Sequence, residues 1–476
     1  TLWPVEVESL RLSGLPLSAP SNPRAAGATA VLRITLRCVS PEMTFAELGV
    51  DRLRFFLRGA PSISLPLYEL LCGHTIGIAY ADGPTDPAPV LLPSEVMQPV
   101  GFGPDEALFP WPARSFSGFR LLTEYFAFHE KFLFIDLTRI EAKTLVAAGR
   151  RLDVFVYLDR AVPELERVMG VDSLALGCTP MVNLFPHACE PVPLTHTDTE
   201  YRLLPDLRRP AGLEIWSVER VREARADGSV RPWVPFYRLT HDMASNGEAA
   251  GFYHLTRRHG AVSVGGTETF LAPHDPDINL DRPADAVLSV DALCLNRDLP
   301  AQLPFGGGQL RLRLVEGLGS VNGVTCLTAP TPTLRASLRE SGFWPLISHL
   351  SLGHLSIVDG EAGAQALKEV LRLYDLRGTA ESRAAIESLV GVSTVPGTAR
   401  VPGGRAGSFC RGLDVTLEYD AASWQTGGLF LLAAVMDRFL ALHATVNAFV
   451  RTRAVLRGRP GVVAAWPARS GARVLL

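Results

Sequence analysis

Lysine is nearly missing from this chain: of its 46 basic residues only Lys131, Lys143 and Lys368 carry an ammonium group, and the rest are arginine. Alongside abundant Ala and Gly this mainly reflects codon composition, although arginine is also the cation favoured at protein interfaces. The shortage bears directly on Gly306, Gly307 and Gly308, a run that invites a phosphate-loop reading. A P-loop needs G-x-x-x-x-G-K-[ST] between a strand and a helix, so that amides, a lysine and the helix N-terminus offset phosphate charge together. No lysine lies near these glycines, and the residues that follow, QLRLRLVEG, alternate Leu310, Leu312 and Leu314 with Arg311 and Arg313. That period of two predicts a strand over 310–316, with the glycines as a backbone device and Asn296 and Arg297 fixing a turn just before them.

Other absences narrow the field. The seven cysteines are scattered, odd in number and never arranged C-x-x-C, which leaves buried, reduced thiols in a cytosolic protein as the expectation. The longest apolar run, LFLLAAVM at 429–436, is closed by Asp437 and Arg438. It falls well short of the roughly 20 residues of a membrane-spanning helix, so a soluble protein is expected. The opening TLWPVEVESL has no charged region leading into an apolar stretch, so no secretory signal is expected; it also lacks an initiator Met, as a trimmed chain or fragment does. A net charge of −3 argues against phosphate backbones and anionic membranes as partners. G-x-S-x-G, S-x-x-K and a recognisable cysteine elbow are all missing.

Candidate metal sites fall short of their patterns. Asp275, Asp277, Asn279 and Asp281 alternate as in the first half of a calcium loop, yet Leu280 and Ala286 stand where an EF-hand needs Gly and Glu. His349 and His354 are five apart rather than four, and His187 with Cys189 has no further ligand nearby. No catalytic, cofactor-binding or metal residue is assigned, and no cofactor is expected. One enzymatic alternative stays open: a β-rich hydrolase whose site is assembled from distant residues, such as Asp275 or Asp277 with His274.

What is present is a long chain with both periodicities. VEVESLRL (5–12), TAVLRITLRC (29–38), IGIAY (76–80) and RLDVFVYLDR (151–160) read as strands, 67–72 as a short helix, and SGFRLLTEYFAFHEKFLFIDL (117–137) as a helix running into a buried strand. EYRLLPD, LEIWSVERV and AVLSVDALCL continue the strand pattern. Beyond residue 341 the character turns helical: SGFWPLISHL with Ser341 as N-cap, QALKEVLRLY with Ala366, Leu367, Val370, Leu371 and Tyr374 on one face, and ESRAAIESLV. The strand LDVTLEY (413–419) precedes a helix expected over 429–450, with Leu432, Met436, Phe439, Leu440, Val446 and Phe449 on its apolar stripe. Residues 83–112 and 395–407, rich in Pro and Gly, read as long surface loops. The expected fold class is α+β and multidomain: a mixed α/β domain over 1–185, a β-rich domain over 186–335 and a helix-rich α+β domain over 336–476.

Seven phrases in order along the whole chain, FAFHEKFLFIDL, NLFPHACEP, HTDTEYRLLPD, ALCLNRDLPAQLPFGGG, PTPTLRASL, WPLISHLSLGHLSIVDG and AWPARSGARVLL, resemble the TssF family (ImpG or VasA) of the type VI secretion baseplate. Gly353 stands where that family tends to have Asn, His129 where it has Pro, and the family's largely helical region ahead of the TLWPVEVES-like strand is absent. The resemblance implies a structural protein similar to a phage-tail baseplate wedge component rather than an enzyme. It implies two copies of the chain per TssG, with a homodimeric contact within the wedge, and TssK and TssE as further partners around the VgrG spike. Nucleic acid and direct membrane insertion form no part of that picture. Its implied place is the cytoplasm, docked to the envelope through TssK, with the loops at 83–112 and 395–407 making intersubunit contacts.

Overall fold

A computed structural model describes residues 2–471 apart from 113–114, 141–144, 146–147, 196, 225–227, 239–250, 261–265, 275–285, 308–309, 311, 316–320, 337–359, 401–408, 425–426 and 445–447. Among the described residues 22 strands and seven α-helices make a β-rich α+β fold. Two compact units result: one from Thr1–Met181 together with Ser348–Leu476, the other from Val182–Ile347.

In the first unit, strands Val5–Ser13, Ala30–Cys38, Arg151–Leu158, Thr75–Ala81 and Val90–Leu92 lie side by side in that order, all antiparallel. Ala30–Cys38 is buried along nearly its whole length and Arg151–Leu158 from Leu152 to Leu158, as strands covered on both faces must be. A second sheet orders Met97–Pro99, Phe134–Leu137, Leu53–Leu57 and Leu174–Leu176. The segment read as one long loop, 83–112, therefore contributes a three-residue strand to each of two sheets, while most of the rest is irregular and at least partly exposed.

The third sheet is built largely from the C-terminal part of the chain. Leu389–Arg400 pairs antiparallel with Phe409–Asp420, which pairs in parallel with Ala448–Arg457; Val462–Ala465 and Arg469–Ser470 flank the last. Parallel neighbours need a crossover, and the helix Leu429–His443 provides it. This corrects two expectations. The helix does not reach residue 450: Phe449 belongs to a strand, facing Gly412, whose Cβ would stand 2.2 Å from the Phe449 carbonyl oxygen if it had one. The helix is also buried on all sides rather than along a stripe, packing on the helix Ser117–Ala127 and on the third sheet. Likewise 395–400 is strand, not loop, while 401–407 lies outside the described residues. In the helix Glu361–Tyr374 the inward face carries Gly363, Ala364, Leu367, Val370 and Leu371, with Ala366 exposed.

The second unit is one curled sheet in the order Phe185–Ala188, Val287–Leu295, Glu214–Ala224, Val230–Pro235, Gly251–His259, Thr267–His274 and Tyr201–Leu203, with Val192–Pro193 also on Val287–Leu295. Its core gathers Leu194, Tyr201, Ile215, Val221, Trp233, Tyr253, Leu271, Leu288 and Val290. The buried Trp233 indole donates to Glu223 at 2.8 Å, as an indole N–H in a core must find an acceptor. The strand expected over 310–316 does not form: Leu312–Leu314 joins no ladder, and both leucines are exposed.

Candidate interaction surfaces

The distinctive phrases of the sequence turn out to hold irregular backbone in place. In the second unit Arg297 takes a left-handed φ of 49°, and its buried guanidinium donates to the carbonyls of Leu213 (2.9 Å) and Pro210 (3.4 Å). Its own carbonyl accepts from the Thr333 hydroxyl at 2.6 Å, Asp298 accepts from the Thr333 N–H at 2.9 Å, and Asn296 bonds Asn183 at 3.1 Å. Arg335 completes the clamp on Asp298 (3.0 Å) and Glu214 (2.8 Å). Burial pushes the Glu214 carboxyl upward, but Arg335 and the two Thr267 donors outweigh it and hold it below the usual carboxylate range. Gly266 is obligatory beside them, since at φ 74° a Cβ would meet Glu214 Oε2 at 2.7 Å. The turn role expected of Asn296 and Arg297 is thus what the structure shows. Gly306 and Gly307 sit at φ 95° and 60°, where glycine is the residue of least strain.

In the first unit Lys131, from the phrase FAFHEKFLFIDL, joins a buried ionic knot with residues of the helix Ser117–Ala127 that precedes it. Glu124 is fully buried, pairs with Lys131, and accepts from the Leu108 N–H at 2.6 Å. Arg120, one turn earlier, donates to the carbonyls of Phe102 (3.1 Å), Gly103 (2.9 Å) and Pro104 (3.1 Å). Burial holds the Lys131 ammonium below its ordinary range against the pull of Glu124. Residues 101–109 have almost no ladder bonds of their own, and these side chains replace them. Sequence reading missed Arg120 and Glu124; the available signal was their i, i+4 spacing on an otherwise apolar helix.

The described candidates for chemistry are held by structural neighbours. His187 Nε2 lies 2.9 Å from the Pro205 carbonyl, and Cys189 is in the core. His274 is exposed at a strand end, edge-on to Phe236 at 5.9 Å between centroids, while Asp275, Asp277, Asn279, Asp281, His349 and His354 lie outside the described residues. Among the described residues no three His, Cys, Asp or Glu side chains gather as metal ligands. Burial pushes the Cys72 thiol up to about 12 and raises those of Cys38 and Cys178, so none is poised as a thiolate. A cavity of about 280 Å³ is lined by Pro66, Glu69, Leu70, Arg160, Val162 and Glu164, but Arg160 is already bound to Glu69 at 2.6 Å. Among the described residues no helix is long and apolar enough to cross a membrane.

The surface offers a clearer signal. In the second unit Leu299, Leu303, Phe305, Leu312, Leu314 and Val315 are exposed along one stretch whose described residues, beyond a 3₁₀ turn at Pro300–Gln302, belong to no helix or strand. In the first unit Val395, Phe409 and Leu413 are exposed on the paired strands Leu389–Arg400 and Phe409–Asp420. Apolar side chains grouped on anchored backbone in this way are the mark of protein-binding surfaces.

Known proteins agree on one relationship. The family described as type VI secretion system, TssF, matches residues 1–473. The type VI secretion system component TssF1 of Pseudomonas aeruginosa is 34% identical over 490 residues, spanning 99% of this chain and 78% of that protein. A solved structure of a type VI secretion TssK–TssF–TssG baseplate subcomplex contains a chain with the same fold, at a TM-score of 0.77 and 24% identity, over 99% of this chain and 82% of that one. A chain from a type VI secretion baseplate complex aligns at 0.57 and 21% identity, over 97% and 85%.

Proposed function

Because the chain belongs to the TssF family of type VI secretion baseplate components, we propose that it is a structural wedge subunit that acts by assembly and not by catalysis. Two copies join one TssG, in contact with each other, and the wedge they form binds TssK and TssE around the VgrG spike. The wedge works in the cytoplasm, docked to the envelope through TssK. The observation that carries this reading is the family match along nearly the whole chain. The solved relative of the same fold stands in a complex with TssK and TssG, which supports those two partners first. Mechanically, a subunit that occupies two places around one partner needs rigid sheets carrying exposed apolar segments, and both units have them.

Co-expression with TssG and TssK, followed by the mass of the purified assembly, tests the proposal. A complex holding two copies of this chain per TssG is expected. A lone monomer under those conditions would overturn it.

A further inference from the structure

The strands Leu389–Arg400 and Phe409–Asp420 form a ribbon at the edge of the third sheet, flanked by Ala448–Arg457 from Arg411 onward, and its two halves differ. Side chains of paired residues share a face, so Val415, Leu417 and Tyr419 lie on the face that carries Leu413, Arg411 and Phe409, together with Pro396, Thr398 and Arg400 from the other strand. Near the core this face is closed: Val415, Leu417 and Tyr419 are at most 1% exposed. Farther out the same face is open, with Leu413 at 40% and Phe409 at 67%, and on the reverse face Val395 is 60% exposed. The face is thus closed and apolar near the core, and open farther out, where Phe409 and Leu413 stand among Arg400, Arg411 and Thr398.

Charge says what should cover it. Residues 395–413 contain three arginines, Arg400, Arg405 and Arg411, and no carboxylate. Among the described residues neither Arg400 nor Arg411 pairs with an acid, whereas the nearest carboxylate on the ribbon, Asp414, is taken by Arg451 at 2.7 Å. Two basic ribbons laid against each other would repel, which disfavours a second copy of this surface as the occupant. A nucleic acid would match the arginines but leave Phe409, Leu413 and Pro396 without partners.

We infer that the outer half of this ribbon is a finger that seats in an apolar groove rimmed by carboxylates on a protein partner. Resting on the wedge reading above, this assigns the groove to TssG or TssK. Phe409 and Leu413 fill it, and Arg400 and Arg411 pair with its rim.

The test uses the full chain co-expressed with TssG and TssK, comparing wild type with F409S/L413S, R400E/R411E and a charge-matched control, R24E/R167E. The apolar pair should weaken capture of the partner by about a hundredfold or more, as central apolar anchors do. The charge reversal should weaken it about tenfold at low salt and less at high salt. The control should match wild type, all variants should melt with wild type because the altered side chains are exposed, and acid-to-lysine changes on the partner's rim should rescue R400E/R411E. Wild-type assembly with unchanged capture by both ribbon variants would overturn the finger and leave the wedge reading standing. So would a loss confined to self-association or to nuclease-sensitive material. Failure of wild type to capture either partner would instead overturn the wedge reading itself.

Discussion

Glu124 and Lys131 show how much of the chain's stability can hang on single residues. Lys131 is 2% exposed and Glu124 fully buried, so each is tolerable only because the other is there. Glu124→Ala should cost about 3–5 kcal/mol in urea unfolding, because it strands a buried ammonium and frees the Leu108 N–H. Replacing both partners, as Glu124→Leu with Lys131→Met, should cost clearly less; equal losses would show that the ion pair is not the unit of stability. His74 gives a residue-scale pH response. Its ring lies 2.7 Å from Asp159 and 3.9 Å from Glu69, and the Glu69 contact first, then Asp159, raise its pKa above the ordinary 6.5 against the opposing pull of burial and Arg160. A raised folded pKa stabilises fully below the unfolded value and is lost as pH rises through the folded one. The urea midpoint should therefore decline above about pH 6.5, and His74→Ala should remove that part of the slope. Neither pair was legible in sequence: His74 and Asp159 are 85 positions apart, and nothing local marks a lysine as buried.

At the scale of elements, the helix Leu429–His443 explains both a success and a miss of sequence reading. Its apolar run was visible, but apolar residues on all faces cannot show which way a helix points. The pattern also continued through Val446 and Phe449, because a crossover helix and the strand after it are both apolar, and only the partner strand decides where one stops. The alternating leucines failed for the converse reason: without a neighbour to pair with, the described residues 312–315 stay irregular. The helix is latched to the last described strand by Asp437, fully buried and 2.5 Å from Arg469. Burial raises the Asp437 carboxyl's pKa, so the pair is retained against a desolvation cost. Arg469→Ala should destabilise the first unit by about 3 kcal/mol, and adding Asp437→Asn should restore part of it; calorimetric melting of the two variants measures the difference.

For the molecule as a whole, the two ends of the chain build one unit and its middle another, an arrangement that composition along the sequence has no means of displaying. What the sequence did carry was the family phrases, and two of them, ALCLNRDLPAQLPFGGG and PTPTLRASL, supply the Arg297 and Arg335 side chains whose bonds hold irregular backbone in place. The clamp from Asn296 to Arg335 fixes the ends of a stretch whose own side chains, Leu299, Leu303 and Phe305, stay in water. Stability and assembly should therefore come apart at this place. Each of the three is about half exposed, so changing them to Ser should move unfolding by only about 1 kcal/mol per site. If the stretch docks on a wedge partner, the same triple variant should lose most of its recovery in a purified complex with TssG and TssK. A variant that melts early would mean that the leucines support the second unit's fold. One that melts normally and assembles fully would remove this stretch from the interface, leaving the ribbon of the first unit as the surface to pursue.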